Sequence, residues 1–549
     1  MLALALPGVT RAAGTLRLEF QAEENGGSEI TRLDWLVSGL ALQRKDGSWA
    51  EGSDWFGFLS KAEGRFQVDA DGVPAEDFRA IRFRVGVDAA TDKGDPAQWP
   101  AGHALNPTVN HLHWGWQGGF VFLAIEGRAN GASFSYHLAN ATEPMTVELP
   151  VEFRGGGPVT IRIALDAAKV LAGVDPARDG NATHSRPGDA LAVRLKKNAA
   201  SAFRVAGIHY DLLQTAPTLK PTIARPPGTT PFSLEITQRF PQATLPADNP
   251  LTAEGVALGR RLFHDPRLSI NATQSCASCH DRANAFAEPR KVSVGAEGHA
   301  GKRNAMPLFN LAWAQSFLWD GRAKSLREQV LMPIQDAHEM NERLDRVVEK
   351  LTKDDAYPAE FERAFGVREI TPENLAKALE QFLLTLISQE SKFDRAVRKR
   401  AEMTDEEKRG LQLFVTEFDP ARGLRGADCF HCHGGTLFTD NLFHDNGLAG
   451  DGGKFKTPSL RNIAITAPYM HDGRFATLEE VIEHYDSGVR RNADLDPNLA
   501  KHPEAGLQLT AGEKRALVAF LKTLTDETFT QAQPATTPLA SRAKNSDDR

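Results

Sequence analysis

The chain has 549 residues, which is too long for one hydrophobic core and suggests about three domains. Hydrophobic residues make up 41%, charged residues 25%, and the formal net charge is -7. This mild acidity gives no support for binding to nucleic acid or to an anionic membrane. No stretch of sequence approaches the roughly 20 apolar residues of a membrane span.

Residues 1–14 resemble the end of a secretory signal peptide, because a short apolar run is followed by small residues. Residues 15–213 are predicted to form an all-β sandwich or barrel. Apolar and polar residues alternate there in short runs, and Gly- and Asp-rich turns separate the runs. The clearest runs cover 16–20, 81–85, 146–149 and 159–163.

Residues 214–250 are predicted to form an extended linker, since prolines recur through the whole segment. From residue 251 the pattern becomes helical with long irregular loops. We expect two all-α domains of the cytochrome c type here, one over 251–400 and one over 401–525. The polar residues 526–549 are predicted to be a disordered tail.

All four cysteines of the chain lie in two CxxCH motifs, so none is left for a disulfide. The first motif contains Cys276, Cys279 and His280, and the second contains Cys429, Cys432 and His433. A CxxC pair alone could be a zinc half-site or a redox dithiol. The histidine that follows directly in both copies instead favours two covalent c-type haems, with the imidazole as an axial ligand. Since haem c is generally attached after export, we expect a periplasmic location.

An internal repeat relates the two helical domains. Residues 319–328 match residues 471–480 without a gap, and in both copies a Ser or Thr stands three residues before a Glu. This spacing at Ser325 and Thr477 is typical of a capping box that begins a helix. Each haem should therefore be followed by an equivalent helix.

The repeat also predicts that the two haems differ. Fourteen residues after Trp319 comes Pro333, whereas fourteen residues after His471 comes Tyr485. If this helix supplies the distal axial ligand, Tyr485 can close the second haem, but proline cannot close the first. A haem iron with a vacant coordination position (an open haem) can bind peroxide. A haem iron with both axial positions occupied (a closed haem) mainly exchanges electrons. His484 and Met470 are the alternatives to Tyr485.

Residues 251–525 resemble the bacterial di-haem cytochrome c peroxidase family. The shared segments are Arg-Asn-Ala at 303–305, Leu-Trp-Asp-Gly-Arg at 318–322, Pro-Ser-Leu-Arg-Asn at 458–462 and Ala-Pro-Tyr-Met-His-Asp-Gly at 467–473. In that family the second haem is closed by Met in the peroxidases and by Tyr in the MauG and MbnH branch. Tyr485 therefore makes this sequence similar to the latter branch.

The resemblance implies several site residues. It places Trp319 between the haems, and Gln329, Pro333 and Glu339 on the distal side of the first haem. It also implies a calcium ion held by Asn304, Thr466 and Pro468, through oxygen ligands. Glu339 is a plausible acid-base for peroxide cleavage, which needs a proton moved between two oxygens. An ordinary solvated role for Glu339 and a packing role for Trp319 remain open.

The first half of the chain resembles the MbnP family of periplasmic copper-binding proteins, partners of MbnH. The resemblance rests on residues 103–107, 111–123 and 136–138. Imidazoles suit copper, so His103, His113 and His137 are the copper candidates. In that family a tryptophan near the copper becomes kynurenine, which makes Trp114 and Trp116 the candidates for modification. Simple packing of these side chains is the alternative.

These features lead to three functional hypotheses. The first is a peroxide-dependent enzyme that forms high-valent haem iron and oxidises tryptophan on its own β-domain. The second is a cytochrome c peroxidase that reduces hydrogen peroxide with electrons from a small electron-transfer protein. The third is a non-enzymatic copper-binding or electron-transfer protein.

Overall fold

The computed structural model describes residues 14–24, 27–52, 54–114, 119–142, 144–210, 225–237, 240–243, 245–420, 423–448 and 453–531. The signal-peptide-like segment therefore lies outside the described residues, apart from residue 14. One buried core is formed within residues 16–203, and two more are formed by the helical half. The predicted fold class, a β-rich N-terminal domain followed by helical domains, is confirmed.

The N-terminal part, called the β-domain below, is a sandwich of two sheets. Its strands are β1 (Gly14–Glu23), β2 (Glu29–Arg44), β3 (Trp49–Glu51), β4 (Phe56–Ser60), β5 (Gln67–Val73), β6 (Asp77–Val85), β7 (Val121–Ala129), β8 (Ala132–Ala139), β9 (Met145–Arg154), β10 (Val159–Asp166), β11 (Ala182–Thr183) and β12 (Phe203–Tyr210). The smaller sheet has the order β12-β10-β1-β5. The larger has the order β11-β8-β7-β2-β6-β9, and β3 and β4 also pair with β2.

Alternating side chains build the core between these sheets. In β9 every second residue is buried, which is the period-2 pattern of a strand with one face on the core. Phe20 of β1 meets Trp35 and Phe83 of the larger sheet edge to face, with ring centroids 6.0 and 5.8 Å apart. The four runs predicted as strands lie in β1, β6, β9 and β10.

Short helices occupy the connections of the β-domain: α1 (Ala89–Lys93), α2 (Pro107–Asn110), α3 (Ala167–Val170), α4 (Pro176–Asp179) and α5 (Ala190–Ser201). The side chain of Asn106 caps α2, and Pro107 occupies its first turn. The helix ends at His111, which adopts a left-handed φ of 51°. This sharp exit leads the chain past His113 and Trp114 toward β7.

The helical half contains the remaining elements. They are α6 (Ala253–Phe263), α7 (Cys276–Cys279), α8 (Leu326–Gln329), α9 (Met332–Gln335), α10 (Leu344–Thr352), α11 (Ala356–Phe365), α12 (Pro372–Leu384), α13 (Lys392–Val397), α14 (Asp405–Phe414), α15 (Leu478–Glu483), α16 (Pro497–Ala500), α17 (Ala511–Lys522) and α18 (Glu527–Thr530). Two small hairpins pair β13 (Phe418–Asp419) with β14 (Leu424–Arg425) and β15 (Phe443–His444) with β16 (Phe455–Lys456). No helix within the described ranges is both long and apolar enough to cross a membrane.

The internal repeat has the same helix packing in both copies. Helix α6 packs on α12, and α14 packs on α17. At each crossing a glycine lets the backbones touch. A Cβ added to Gly259 would lie 1.9 Å from the carbonyl oxygen of Ala378, and one added to Gly410 would lie 1.9 Å from that of Ala516. The two glycines stand at matching positions in Gly-Arg-Arg-Leu-Phe at 259–263 and Gly-Leu-Gln-Leu-Phe at 410–414, which precede the two CxxCH motifs. Close helix packing is the physical reason for them.

At both ends of the described helical half, residues pack against its core. Phe240, from the Pro-rich segment, is buried, and the carbonyl oxygen of Pro241 accepts a hydrogen bond from the indole of Trp313 at 2.8 Å. The tail was predicted to be disordered from residue 526, but α18 follows directly. Phe529 of α18 is buried against Phe286, with ring centroids 5.6 Å apart. The prediction is therefore wrong for residues 526–531, and residues 532–549 lie outside the described residues.

We predict that Gly410→Ala destabilises the protein by about 1–3 kcal/mol, because the new methyl group overpacks the crossing of α14 and α17. Gly512→Ala is the matched control on α17. Its Cβ would lie 3.8 Å from a flexible arginine side chain and 4.0 Å from the Thr510 hydroxyl, which are ordinary contact distances, and alanine favours helix by about 1 kcal/mol. Chemical denaturation of both variants checks this; equal stability of the two would contradict the packing argument.

Candidate active site

The two CxxCH motifs present their histidines in the same way. Nδ1 of His280 lies 2.8 Å from the carbonyl oxygen of Phe286, and Nδ1 of His433 lies 3.3 Å from that of Phe438. Both phenylalanines have left-handed φ values, 57° and 54°, which turn these carbonyls toward the rings. With Nδ1 donating to a carbonyl, Nε2 is left to bind iron. The residues present therefore fit a covalent haem at each motif.

Glu339 lies beside the first motif. Burial raises the pKa of its carboxyl to about 7, and the neighbouring Asp336 adds to the shift. Burial raises the pKa of the Cys276 thiol, and the charge of Glu339 contributes, so the two groups share one environment. A carboxyl group that titrates near neutral pH can both take up and return a proton.

The helix that should close the first haem is broken. Helix α8 ends at Gln329, and α9 begins again with Pro333 in its first turn. The capping Ser325 accepts from the Glu328 backbone, as Thr477 does from Glu480 in the second copy. His299 of the same domain is directed at the carbonyl oxygen of Ala337, 3.3 Å from its Nδ1.

The equivalent helix of the second haem domain continues past α15 into a π-helical turn, His484–Gly488. This turn carries Tyr485, whose hydroxyl accepts a hydrogen bond from the Asn446 amide at 3.4 Å. Burial raises the pKa of Tyr485 to about 12, and the nearby Cys432 thiol contributes. The phenol thus keeps its proton until a cation is bound beside the oxygen.

The two alternatives to Tyr485 differ in their positions. Nε2 of His484 lies 3.0 Å from the carbonyl oxygen of Asn446, so this imidazole is directed at the backbone. The Met470 sulfur lies 3.6 Å from the same Asn446 amide that donates to Tyr485. A thioether and a phenol therefore lie close together at the second motif.

Trp319 lies at the boundary of the two haem domains. Its indole donates to the carbonyl oxygen of Asn304 at 2.9 Å, and its ring lies 6.5 Å from that of His471. The backbone of Lys456, from the second haem domain, donates to the Trp319 carbonyl at 2.8 Å. The indole is thus held by both domains.

The calcium candidates also lie at this boundary. The Asn304 amide donates to the carbonyl oxygens of Arg290 and Lys291 at 3.0 and 3.3 Å, which leaves its oxygen for another partner. The Asn304 backbone donates to His471 at 2.9 Å, and Thr466 is buried in the loop before Pro468. These oxygen donors suit calcium chemistry.

A cavity separates the β-domain from the second haem motif. We call it the interdomain cavity; its lining includes His113, Trp114, His137, Phe430 and His431. Trp114 lies 6.0 Å from the ring of His184, which lies 5.0 Å from Phe430. Trp116, the other candidate for modification, lies outside the described residues.

The three copper candidates do not lie together in the structure. His113 and His137 both line the interdomain cavity, but His103 stacks on Trp99 with ring centroids 4.5 Å apart. Sequence reasoning missed His184 and His431, which lie with His137 in one buried group. A histidine between the two cysteines of the second motif was the available signal for His431.

Comparison with known proteins agrees with this geometry. The di-haem cytochrome c peroxidase family model matches residues 253–402, and the MbnP family model matches residues 9–185. The methylamine utilization protein MauG of Methylorubrum extorquens is 40% identical over 300 residues, which cover 51% of this chain and 81% of MauG. Cytochrome c551 peroxidase of Nitrosomonas europaea is 31% identical over 310 residues, covering 52% and 84%.

A solved MauG-like protein associated with microbial copper homeostasis is 34% identical, with a TM-score of 0.50; the match covers 55% of this chain and 97% of that one. Two haem-attachment motifs in paired helical domains define a di-haem c-type oxidoreductase. The chain belongs to the di-haem cytochrome c peroxidase family, MauG-like in its haem half, and carries an MbnP domain before it. The resemblance seen in the sequence is confirmed.

We predict that the reaction with peroxide accelerates as pH rises through about 7, because Glu339 must be ionised to accept the first proton. Glu339→Gln should remove this dependence and slow the reaction about 10²–10⁴-fold. Stopped-flow absorbance of the haem-loaded protein measures both effects. Glu342→Gln, at a buried glutamate that pairs with Lys350, is the control. An unchanged pH profile in Glu339→Gln would exclude the assigned role.

We predict that Tyr485→Phe opens the second haem, because the phenyl ring has no ligating oxygen. The ferric electron paramagnetic resonance spectrum should then lose its low-spin signal and gain a second high-spin signal. Met470→Leu is the control, since its sulfur lies beside the same Asn446 amide. A spectrum that changes in Met470→Leu and not in Tyr485→Phe would show that the thioether is the ligand.

Proposed function

We propose that this protein is a peroxide-dependent oxidoreductase that oxidises Trp114 of its own β-domain. One observation carries the proposal. Trp114 lines the interdomain cavity opposite Phe430, which directly follows Cys429 of the second haem motif. The rings of His184 and Phe430 fill the intervening space, with successive centroids 6.0 and 5.0 Å apart. The oxidisable side chain therefore faces the haem predicted to hold oxidising equivalents.

The two haem sites have different roles in the proposed reaction. When bound, the haems supply the chemistry that reduces peroxide and stores the resulting oxidising equivalents. Glu339 moves the proton between the peroxide oxygens at the first site, where Pro333 leaves the distal side without a ligating side chain. Tyr485 closes the second site, and an anionic oxygen ligand favours the oxidised states. Trp319 is held between the two domains by Asn304 and His471.

The proposed reaction balances with peroxide as the co-reactant. Two molecules of hydrogen peroxide are each reduced by two electrons to water. Tryptophan loses the same four electrons, its pyrrole C2–C3 bond breaks, and two oxygen atoms enter to give N-formylkynurenine. Hydrolysis then releases formate and leaves kynurenine. The covalent fusion keeps the target side chain permanently beside the enzyme, so no diffusional encounter is needed.

The β-domain is proposed to bind copper, which the MbnP match supports. His113 and His137 line the interdomain cavity, whereas His103 lies on Trp99 outside it. We further propose a calcium ion at Asn304, Thr466 and Pro468 that holds the haem domains together, and a periplasmic location, where haem c is attached. These assignments rest on the family resemblance and on the oxygen donors at the domain boundary.

A second candidate function is hydrogen peroxide reduction with electrons from a small electron-transfer protein. The position of Met470 favours it, because its thioether lies beside the Asn446 amide that also contacts Tyr485. The similarity to cytochrome c551 peroxidase of Nitrosomonas europaea supports the same function. A protein of this kind would consume peroxide continuously with an external donor and leave Trp114 intact.

We predict that hydrogen peroxide, added to the haem-loaded protein without an electron donor, converts Trp114 to kynurenine. Tandem mass spectrometry of the β-domain peptides identifies the site. Trp49, which is partly exposed beneath Arg82, is the internal control for diffusible oxidants. Trp114→Phe should abolish the product. Equal oxidation of Trp49 and Trp114 would contradict directed chemistry, and modification of Trp116 instead would move the site by two residues.

A further inference from the structure

Three imidazoles meet where the β-domain contacts the second haem domain. They belong to His137 of β8, His184 just after β11, and His431 between the cysteines of the second haem motif. We call this group the imidazole cluster. One nitrogen from each ring lies within 4.8 Å of those from the other two. All three residues are at least nine-tenths buried, with exposures of 5%, 8% and 9%.

Each ring has one nitrogen near a buried carboxylate, and the His137 ring is hydrogen-bonded to its carboxylate. The pairs are Nε2 of His137 with Glu126 at 2.8 Å, Nδ1 of His184 with Glu417 at 2.9 Å, and Nε2 of His431 with Asp428 at 3.4 Å. For His137, the Glu126 carboxylate holds the proton on Nε2 and leaves Nδ1 as a lone-pair donor. This is the arrangement around histidines that bind metals in proteins.

The inner nitrogens of His137 and His184 are hydrogen-bonded to each other, whereas Nδ1 of His431 has no partner among the described residues. Nδ1 of His137 and Nε2 of His184 lie 3.1 Å apart, facing each other. Nδ1 of His431 is buried. A buried polar nitrogen without a partner costs free energy, and a bound ion would supply the missing partner.

The surrounding charge favours a cation. The buried side chains next to the cluster include the carboxylates of Asp34, Glu126, Glu417 and Asp428 and the permanent cations of Arg32 and Lys501. This leaves excess negative charge in a region of low dielectric, where an uncompensated carboxylate is costly. Lys501 also lies 3.1 Å from Nε2 of His431. In this arrangement the Lys501 ammonium donates to Nε2; ligation through Nδ1 requires the His431 proton to move to Nε2 and Lys501 to pair with Asp428 alone, which it already contacts at 3.2 Å.

We propose that the imidazole cluster binds one copper ion through His137, His184 and His431, so that the metal joins the β-domain to the attachment segment of the second haem. This inference deepens the copper-binding role proposed for the β-domain and replaces His103 and His113 with a ligand set that spans two domains. An all-imidazole site suits copper or zinc, and copper binds nitrogen ligands more tightly than the other divalent first-row metals. The interdomain cavity reaches two of the three ligands and gives the ion an entry path.

The test is a titration of the haem-loaded, full-length protein with copper(II), without peroxide. We expect one ion per chain. His184→Ala and His431→Ala should abolish tight binding, and Glu417→Gln should weaken it about 10–100-fold, because it removes the carboxylate on His184. His103→Ala is the matched control and should bind like the unaltered chain. Haem content and thermal melting identify any variant that fails to fold.

X-ray absorption of the copper-loaded unaltered protein gives an answer that needs no variant: three imidazole ligands are expected. Copper lost in His103→Ala or His113→Ala but kept in His431→Ala would overturn the interdomain site and leave a copper-binding β-domain. Absence of copper binding would reject both copper proposals, while oxidation of Trp114 by peroxide would still be testable. Selective retention of zinc over copper would reject the choice of metal.

Discussion

Charged side chains and imidazoles buried between the β-domain and the second haem domain are the constraint on which the arrangement of the molecule depends. His184 lies 2.9 Å from Glu417 across this contact, and Asp428 lies 3.2 Å from Lys501 within it. Removing one partner of such a buried pair typically costs about 3–5 kcal/mol, because the other charge is left uncompensated. The buried pairs therefore form in only one relative position of the β-domain and the second haem domain. In that position Trp114 lies opposite the second haem motif.

The structural difference between the two haem domains is a small change in a shared framework. Both copies have a glycine at the helix crossing and a capping hydroxyl before the distal helix. In the first copy Pro333 restarts that helix; in the second, a π-helical turn extends it and carries Tyr485 inward. π-Helical turns often occur at functional sites, since the extra residue redirects a side chain. This local change is the basis for proposing one open and one closed haem.

Much of this was predictable from the sequence, because the signals are local. The CxxCH motifs, the capping residues, the alternating strands and the gapless repeat each involve residues a few positions apart. The imidazole cluster was not predictable in this way, since His137 and His184 are separated by 47 residues and His431 comes from another domain. His103 was misleading because its neighbours in sequence resemble a copper segment, while its ring is used for stacking on Trp99.

The position of His431 links the two halves of the molecule more directly than the fusion does. This residue is next to Cys432, so the covalent haem attachment holds its backbone while its ring contacts the β-domain, 4.7 Å from the ring of His184. Any movement of the β-domain away from the haem would expose three carboxylates and three imidazoles to rearrangement at once. The three features are therefore coupled: a change in the docking of the β-domain would also change the geometry of the second haem motif and the environment of Trp114. A linker alone would keep the domains together in solution, but it would not orient them.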